Sequence, residues 1–206
     1  MESLVLAMVT EPSVCAQARG LLGRILTSHG VSAVITEVEA YDGPHDPASH
    51  AYTRTPRSET MYGPPMRLYV YRIHGHHCAN IVTSPEGAGS AVLIRAGRVV
   101  GGLDLARQRR APRIDDKRRI DDESLGRGPG NLAKALGITM ADLRTDVTAL
   151  GGVHLGERAQ TPETIVAGPR VGVRLAADEP WRFWIGDEPS VSVYRRHPKA
   201  CRQTRN

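Results

Sequence analysis

Val34-Ile-Thr-Glu-Val-Glu-Ala-Tyr41 is the stretch on which the reading of this 206-residue chain turns. β-Branched residues and a terminal aromatic mark it as a strand, and in a strand successive side chains alternate between two faces. Val34, Thr36, Val38 and Ala40 then form a mostly apolar face suited to a core, while Ile35, Glu37, Glu39 and Tyr41 point the other way. Two acids and a ring therefore share one space. Carboxylates are rarely buried unless paired or used, so the Glu-x-Glu is a solvated outer face, a carboxylate neutralised by arginine, or the floor of a site.

Working outward, the residues before this strand prepare it. Thr10-Glu-Pro-Ser13 reads as a helix start with Pro12 in its first turn, followed by Val14, Ala18, Leu21 and Leu22 at near-helical spacing. Gly23–Leu26 suggests a strand and His29-Gly30 a turn into the central strand. Beyond Tyr41, residues 42–65 hold no period of 2 or 3.6 and are rich in Pro, Gly, His, Thr and Arg. A loop of that length in a compact domain is usually functional or disordered, and its place directly after Glu39 and Tyr41 makes it a wall of the site. Met66–Ile73 returns to strand character with Tyr69, Tyr71 and Ile73 on one face, and Ala79–Thr83 is its hairpin partner across a tip of His74-Gly-His-His77.

A further strand covers 91–95 and ends in Arg95, and a helix covers 102–109. The densely charged 109–123 reads as an exposed, mobile loop with no chemistry. Leu125-Gly-Arg-Gly-Pro-Gly-Asn-Leu132 leads into a helix, and its glycine-rich start leaves backbone N–H groups free as a seat for phosphate or simply as a tight turn. Residues 171–173, 181–185 and 191–194 complete the sheet, and 196–206 form a frayed tail. With no internal repeat, the whole of 1–206 is expected to be one domain.

Composition narrows the function. Hydrophobic residues are 40% and charged residues 24%, which is globular and not disordered. The 27 Lys+Arg exceed the 22 Asp+Glu, giving a formal charge of +5, and only Lys117, Lys134 and Lys199 are lysines. Arginine binds phosphate in pairs of bonds and lies flat on rings, which suits a polyanionic partner, although a GC-rich coding bias would enrich arginine equally. Cys15, Cys78 and Cys201 are odd in number and far apart, so neither a disulfide framework nor a zinc-thiolate cage is indicated. In the cluster His74, His76 and His77, two imidazoles two apart on a strand could share a metal, but no Cys or carboxylate follows at suitable spacing to complete the site, so no metal or other cofactor is expected. The N-terminal apolar run is too short for a secretory signal, so the expected location is the cytoplasm, with no membrane partner.

Glu37-Val-Glu-Ala-Tyr41, His50, Tyr69-Val-Tyr71, Asn80 and Val92-Leu-Ile-Arg95 resemble, in order and approximate spacing, the alkyladenine (3-methyladenine) DNA glycosylase family in its bacterial form. The similarity continues through Gly128-Pro129, Asn131-Leu132, Pro169-Arg-Val-Gly-Val173 and Val191-Ser-Val193, so it covers nearly the whole chain. The resemblance implies an α+β fold: a single domain with a curved, mostly antiparallel mixed sheet, flanking helices and a protruding β-hairpin. It implies a monomeric, monofunctional hydrolase that acts on duplex DNA containing damaged purines and starts base excision repair.

In that reading Glu39 activates water, and Arg95 and the main-chain carbonyl of Val171 help to hold it. Tyr41, His50 and Tyr71 form the walls of a pocket for an everted base, and Asn80 crowds the exocyclic amine of guanine. Gly128 and Asn131 meet the DNA backbone. Glu37 braces the site or pairs with arginine. His74 stands where the family commonly places a tyrosine wedge, and the stretch after it is one residue shorter than typical, which leaves His76 and His77 without an assignment. No lysine lies near the acidic strand, so Schiff-base chemistry is not expected. Two other functions remain open on the sequence: a damage-binding module without turnover, and a glycoside or nucleoside hydrolase using Glu37 and Glu39, whose Cα atoms two apart on a strand lie roughly 6.5–7 Å from each other.

Overall fold

The computed structural model describes residues 14–111, 120–159 and 161–200. The expected helix start at Thr10–Ser13, most of the charged loop at 109–123 and the last six residues of the tail lie outside the described residues. The chain runs α1 (Val14–Leu21), β1 (Arg24–Ser28), β2 (Val31–Tyr41), β3 (Leu68–Ile73), β4 (His76–Val82), β5 (Ala91–Gly101), α2 (Leu103–Arg110), α3 (Pro129–Leu136), β6 (Val153–Arg158), β7 (Ile165–Gly168) and β8 (Arg182–Ile185). The strands form one sheet in the order β3-β4-β5-β2-β1-β6, with β8 also pairing with β2, and β7 with β8. Every ladder among the described residues is antiparallel. This is the α+β architecture expected from the resemblance.

β2 organises the sheet because both its edges are taken. β5 pairs with it from Ser32 to Tyr41, while β1 covers the other edge at Val31–Val34 and β8 covers it at Glu37–Glu39. Helix α1 lies against β2, and α3 lies over β4 and β5. Every residue from Ala33 to Ala40 is consequently buried.

The alternation expected along β2 breaks in the middle. Opposite β5, Thr36 is an extra residue between Ile35 and Glu37, and Arg95 is an extra residue on β5 between Ala96 and Ile94. A bulge of this kind turns the side chains that follow it. Ala33 and Ile35 therefore join the main core before the bulge and Val38 and Ala40 after it. Val34 and Thr36, expected in the core with them, are displaced; Thr36 instead bonds through Oγ1 to Ser190 Oγ at 2.8 Å. Glu37 and Glu39 keep to the face opposite Val38 and Ala40, and the bulge on β5 brings Arg95 beside them.

Other boundaries also differ from the sequence reading. The β3–β4 connection is a two-residue turn, His74-Gly75, with φ of 47° and 81°. Left-handed backbone at both positions matches the twist of a tight hairpin, and glycine adopts it without a Cβ clash. His76 and His77 thus belong to β4, opposite Ile73 and Arg72, and not to the tip. The segments 171–173 and 191–194 are irregular instead of strands, and β6 and β7 were not anticipated. Both irregular segments are held by the carboxylates of β2, which supply the hydrogen bonds that a ladder would have given.

Candidate active site

Glu37 and Glu39 are fully buried, yet each is supplied with donors from a different part of the chain. Glu37 Oε1 accepts from Arg95 Nε at 2.9 Å, from Arg182 Nε at 2.6 Å and from Ser192 Oγ at 2.9 Å, and Oε2 accepts from the Ser192 amide at 2.8 Å. A carboxylate so fully bonded is fixed in place as a brace between β2, β5, β8 and the segment around Ser192. Glu39 has fewer partners. Its Oε1 accepts from the Val171 amide at 2.7 Å, with Arg95 Nη1 3.4 Å away, and its Oε2 accepts from the Tyr41 hydroxyl at 2.9 Å. Arg95 thereby bridges the two acids, and although burial works against its charge, Glu39 and Glu37 hold its pKa above the ordinary arginine value.

Beside Glu39 opens a cavity of about 260 Å³ lined by Tyr41, His50, Met61, Tyr69, Tyr71, Asn80 and the turn from Val171 to Val173. Glu39 lies behind the wall, and the two residues that bond it, Tyr41 and Val171, are part of that wall. β2 ends in Tyr41, β3 brings Tyr69 and Tyr71, β4 brings Asn80, and the loop after β2 brings His50. The His50 ring meets Tyr71 edge-on at 4.6 Å between centroids, and its Nδ1 is 2.9 Å from the Tyr69 hydroxyl. Burial, helped by the nearby charge of Arg57, lowers the His50 pKa from 6.5 to about 4, so the imidazole is neutral at physiological pH. Burial also raises the pKa of Tyr41, with the charge of Glu39 adding to it, and that of Tyr71, with Cys78 adding to it. Asn80 donates from Nδ2 to the Tyr69 carbonyl at 3.0 Å, which fixes its amide against the cavity.

A charge pair of the interior ties these walls together. Arg170 and Asp46, both with fully buried side chains, form a two-point ion pair through Nη1 to Oδ2 and Nη2 to Oδ1. Arg170 Nη1 also donates to the Ala40 carbonyl at 3.0 Å, and the guanidinium lies 4.7 Å from the centre of the Tyr41 ring. One residue thus anchors the loop that carries His50, stacks on Tyr41 and precedes the amide that holds Glu39.

Residues 8–189 match the family described as methylpurine-DNA glycosylase. The chain belongs to this family. A protein of Mycobacterium sp. (strain KMS) named "Putative 3-methyladenine DNA glycosylase" is 48% identical over 191 residues, covering 89% of this chain and 90% of that protein. Proteins of the same name from Mycolicibacterium paratuberculosis (strain ATCC BAA-968 / K-10) and Mycobacterium leprae (strain Br4923) are 49% and 46% identical, covering 89% and 94% of this chain and 89% of each relative.

Within this methylpurine-DNA glycosylase chain, the remaining residues singled out in the sequence lie as follows. Glu39, Arg95, Val171 and Tyr41 meet in one bonded cluster, and His50, Tyr71 and Asn80 line the adjoining cavity. Val171 touches Glu39 through its amide. His74 is exposed at the turn between β3 and β4. Gly128 caps α3 with φ of 92°, and Asn131 in its first turn donates from Nδ2 to the Arg127 carbonyl at 2.7 Å, so that side chain closes the turn locally.

Asp46, Arg170, Arg182 and Ser192 escaped the sequence reading as members of the site. The charged partner of Asp46 and the carboxylates that Arg170, Arg182 and Ser192 bond all lie more than a hundred residues away along the chain, and no local pattern marks a long-range ion pair. The one available signal was adjacency: Arg170 precedes Val171, and Ser192 sits inside the Val-Ser-Val motif. No helix among the described residues is long and apolar enough to cross a membrane.

Proposed function

We propose that this chain is a monofunctional, monomeric DNA glycosylase that everts alkylated or deaminated purines from duplex DNA and hydrolyses the bond between base and deoxyribose. The observation that carries the proposal is Glu39: a buried carboxylate with a hydroxyl, an amide and a guanidinium oriented on it, set behind a ring-lined cavity. In the reaction the C1′–N bond breaks with both electrons leaving on the purine. Glu39 stabilises the cationic sugar and takes a proton from the water that adds at C1′, and the product is an abasic site.

Tyr41, His50 and Tyr71 stack on or flank the everted base, as an enzyme acting on a base requires. Asn80 hinders guanine, and His74 fills the gap left in the duplex. Gly128 and Asn131 approach the DNA backbone. Glu37 holds Arg95 and Arg182 and accepts bonds on both its oxygens, and this bracing role disfavours a two-carboxylate glycosidase. The test is Glu39→Gln on a duplex with a single hypoxanthine or 7-methylguanine. Single-turnover excision is expected to fall by roughly 10²–10⁴-fold with duplex binding retained; excision near wild type would remove Glu39 from the role. The same duplex compared with the free nucleoside, and with a binding-only assay, separates this function from the small-substrate hydrolase and from a module without turnover.

A further inference from the structure

Two of the three tyrosines that line the cavity carry a guanidinium. Arg170 lies 4.7 Å from the centre of the Tyr41 ring, and Arg57 lies 5.4 Å from the centre of the Tyr71 ring. Neither arginine lines the cavity, so each approaches its ring from outside the space the base would occupy. The two differ in what balances them. Arg170 is paired with Asp46, and Glu37 and Glu39 stand against Arg95 and Arg182. Arg57 is exposed, its charge acts on Tyr69 and His50, and it has no carboxylate partner among the described residues. Counting Asp46, Glu37 and Glu39 against Arg170, Arg95 and Arg182, the site is neutral without Arg57 and carries one positive charge with it.

Resting on the glycosylase reading above, we infer that Arg57 is a specificity-determining residue that biases the pocket toward neutral lesions, such as hypoxanthine or ethenoadenine, and against cationic N-alkylpurines. The face of an aromatic ring attracts a cation through its quadrupole. When a guanidinium already draws on the far face, the near face offers a cationic base less and a neutral base undiminished stacking. The same charge acts during bond breaking. Both classes leave with the C1′–N bonding pair, so a neutral purine becomes an anion that Arg57 stabilises, whereas a cationic purine departs as a neutral molecule and is repelled only while bound. The neutral state of His50, which Arg57 helps to maintain, keeps a second positive charge out of the pocket.

The two lesion classes therefore read Arg57 in different steps, and the experiment separates them. Binding is measured with duplexes whose lesion nucleotide carries 2′-fluorine, which blocks departure of the base, and excision is measured with the unmodified lesions. For Arg57→Gln, binding of the 7-methylguanine duplex is expected to tighten about three- to ten-fold relative to the hypoxanthine duplex. Single-turnover excision of hypoxanthine is expected to fall several-fold with its binding unchanged. Arg57→Lys, which keeps the charge, should follow wild type in both. An unchanged ratio of the two affinities in Arg57→Gln, or an Arg57→Lys variant that behaves like Arg57→Gln, overturns the inference. If neither lesion is excised by the wild-type protein, the glycosylase reading has failed, while the affinity ratio still reports on Arg57.

Discussion

The Tyr41 hydroxyl donates to Glu39 Oε2 across 2.9 Å, so the ring that walls the cavity and the carboxylate behind it move as one unit. That bond shares the carboxylate with the Val171 amide on Oε1 and leaves the Glu39 side chain oriented from two sides. Tyr41→Phe keeps the ring and removes only the bond. A hydrogen bond to a charged group contributes on the order of 2 kcal/mol, so single-turnover excision is expected to fall about thirtyfold, with affinity for a lesion duplex within about twofold of wild type. Excision equal to wild type would show that the hydroxyl does not orient Glu39.

Asp46 and Arg170 form an ion pair with both side chains sealed from solvent. Removing one partner leaves a buried, uncompensated charge, which costs about 3–5 kcal/mol. Asp46→Ala is therefore expected to lower the urea midpoint sharply, whereas a double change to apolar residues, Asp46→Leu with Arg170→Met, is expected to cost less. Equal losses in the two variants would mean that packing of the Arg170 side chain on the rings of Tyr41 and Trp181, which its guanidinium faces at 4.7 and 5.1 Å, and not charge, makes the pair matter.

Asn80 is held by its bond to the Tyr69 carbonyl with its amide against the cavity. Asn80→Ser shortens the side chain and vacates the space that guanine's exocyclic amine would need. Removal of one such contact shifts discrimination by about tenfold or more. Excision of undamaged guanine from a duplex is expected to rise by that factor while excision of hypoxanthine changes little; unchanged guanine excision would contradict the steric role.

His50 gives a pH signature in stability. Its folded pKa is lowered from 6.5 to about 4 by burial and by Arg57, so the unfolded chain binds the proton more readily. The contribution is fully present above pH 6.5 and is lost as pH falls toward 4. Because the ring is partly solvated, the loss is discounted to on the order of 2 kcal/mol. Unfolding of wild type minus that of His50→Gln, measured by urea at pH 7 and at pH 4.5, is expected to shrink by about that amount. A difference independent of pH would place a charged His50 in the folded state.

The order of acids, rings and the hairpin was legible in the chain because each rests on neighbours in sequence. A run of β-branched residues makes β2, His29-Gly30 and His74-Gly75 make tight turns through left-handed backbone, and Val14, Ala18 and Leu21 mark one face of α1. Sequence also put Glu37, Glu39 and Tyr41 on one face, and that survived although the face assigned to Ile35 did not.

By itself, then, the sequence determined which residue types stand together on each strand and, through the motifs spread from Glu37 to Val193, the family. Only the tertiary structure decided the paired bulge at Thr36 and Arg95, the two-point pair of Asp46 with Arg170, and the use of residues 171 and 192 as donors to carboxylates instead of as strand. The reason is physical: alternation and turn chemistry act between neighbours, whereas the partner of a buried charge is whichever donor the folded sheet brings within 3 Å, and chain separation leaves no trace of that choice.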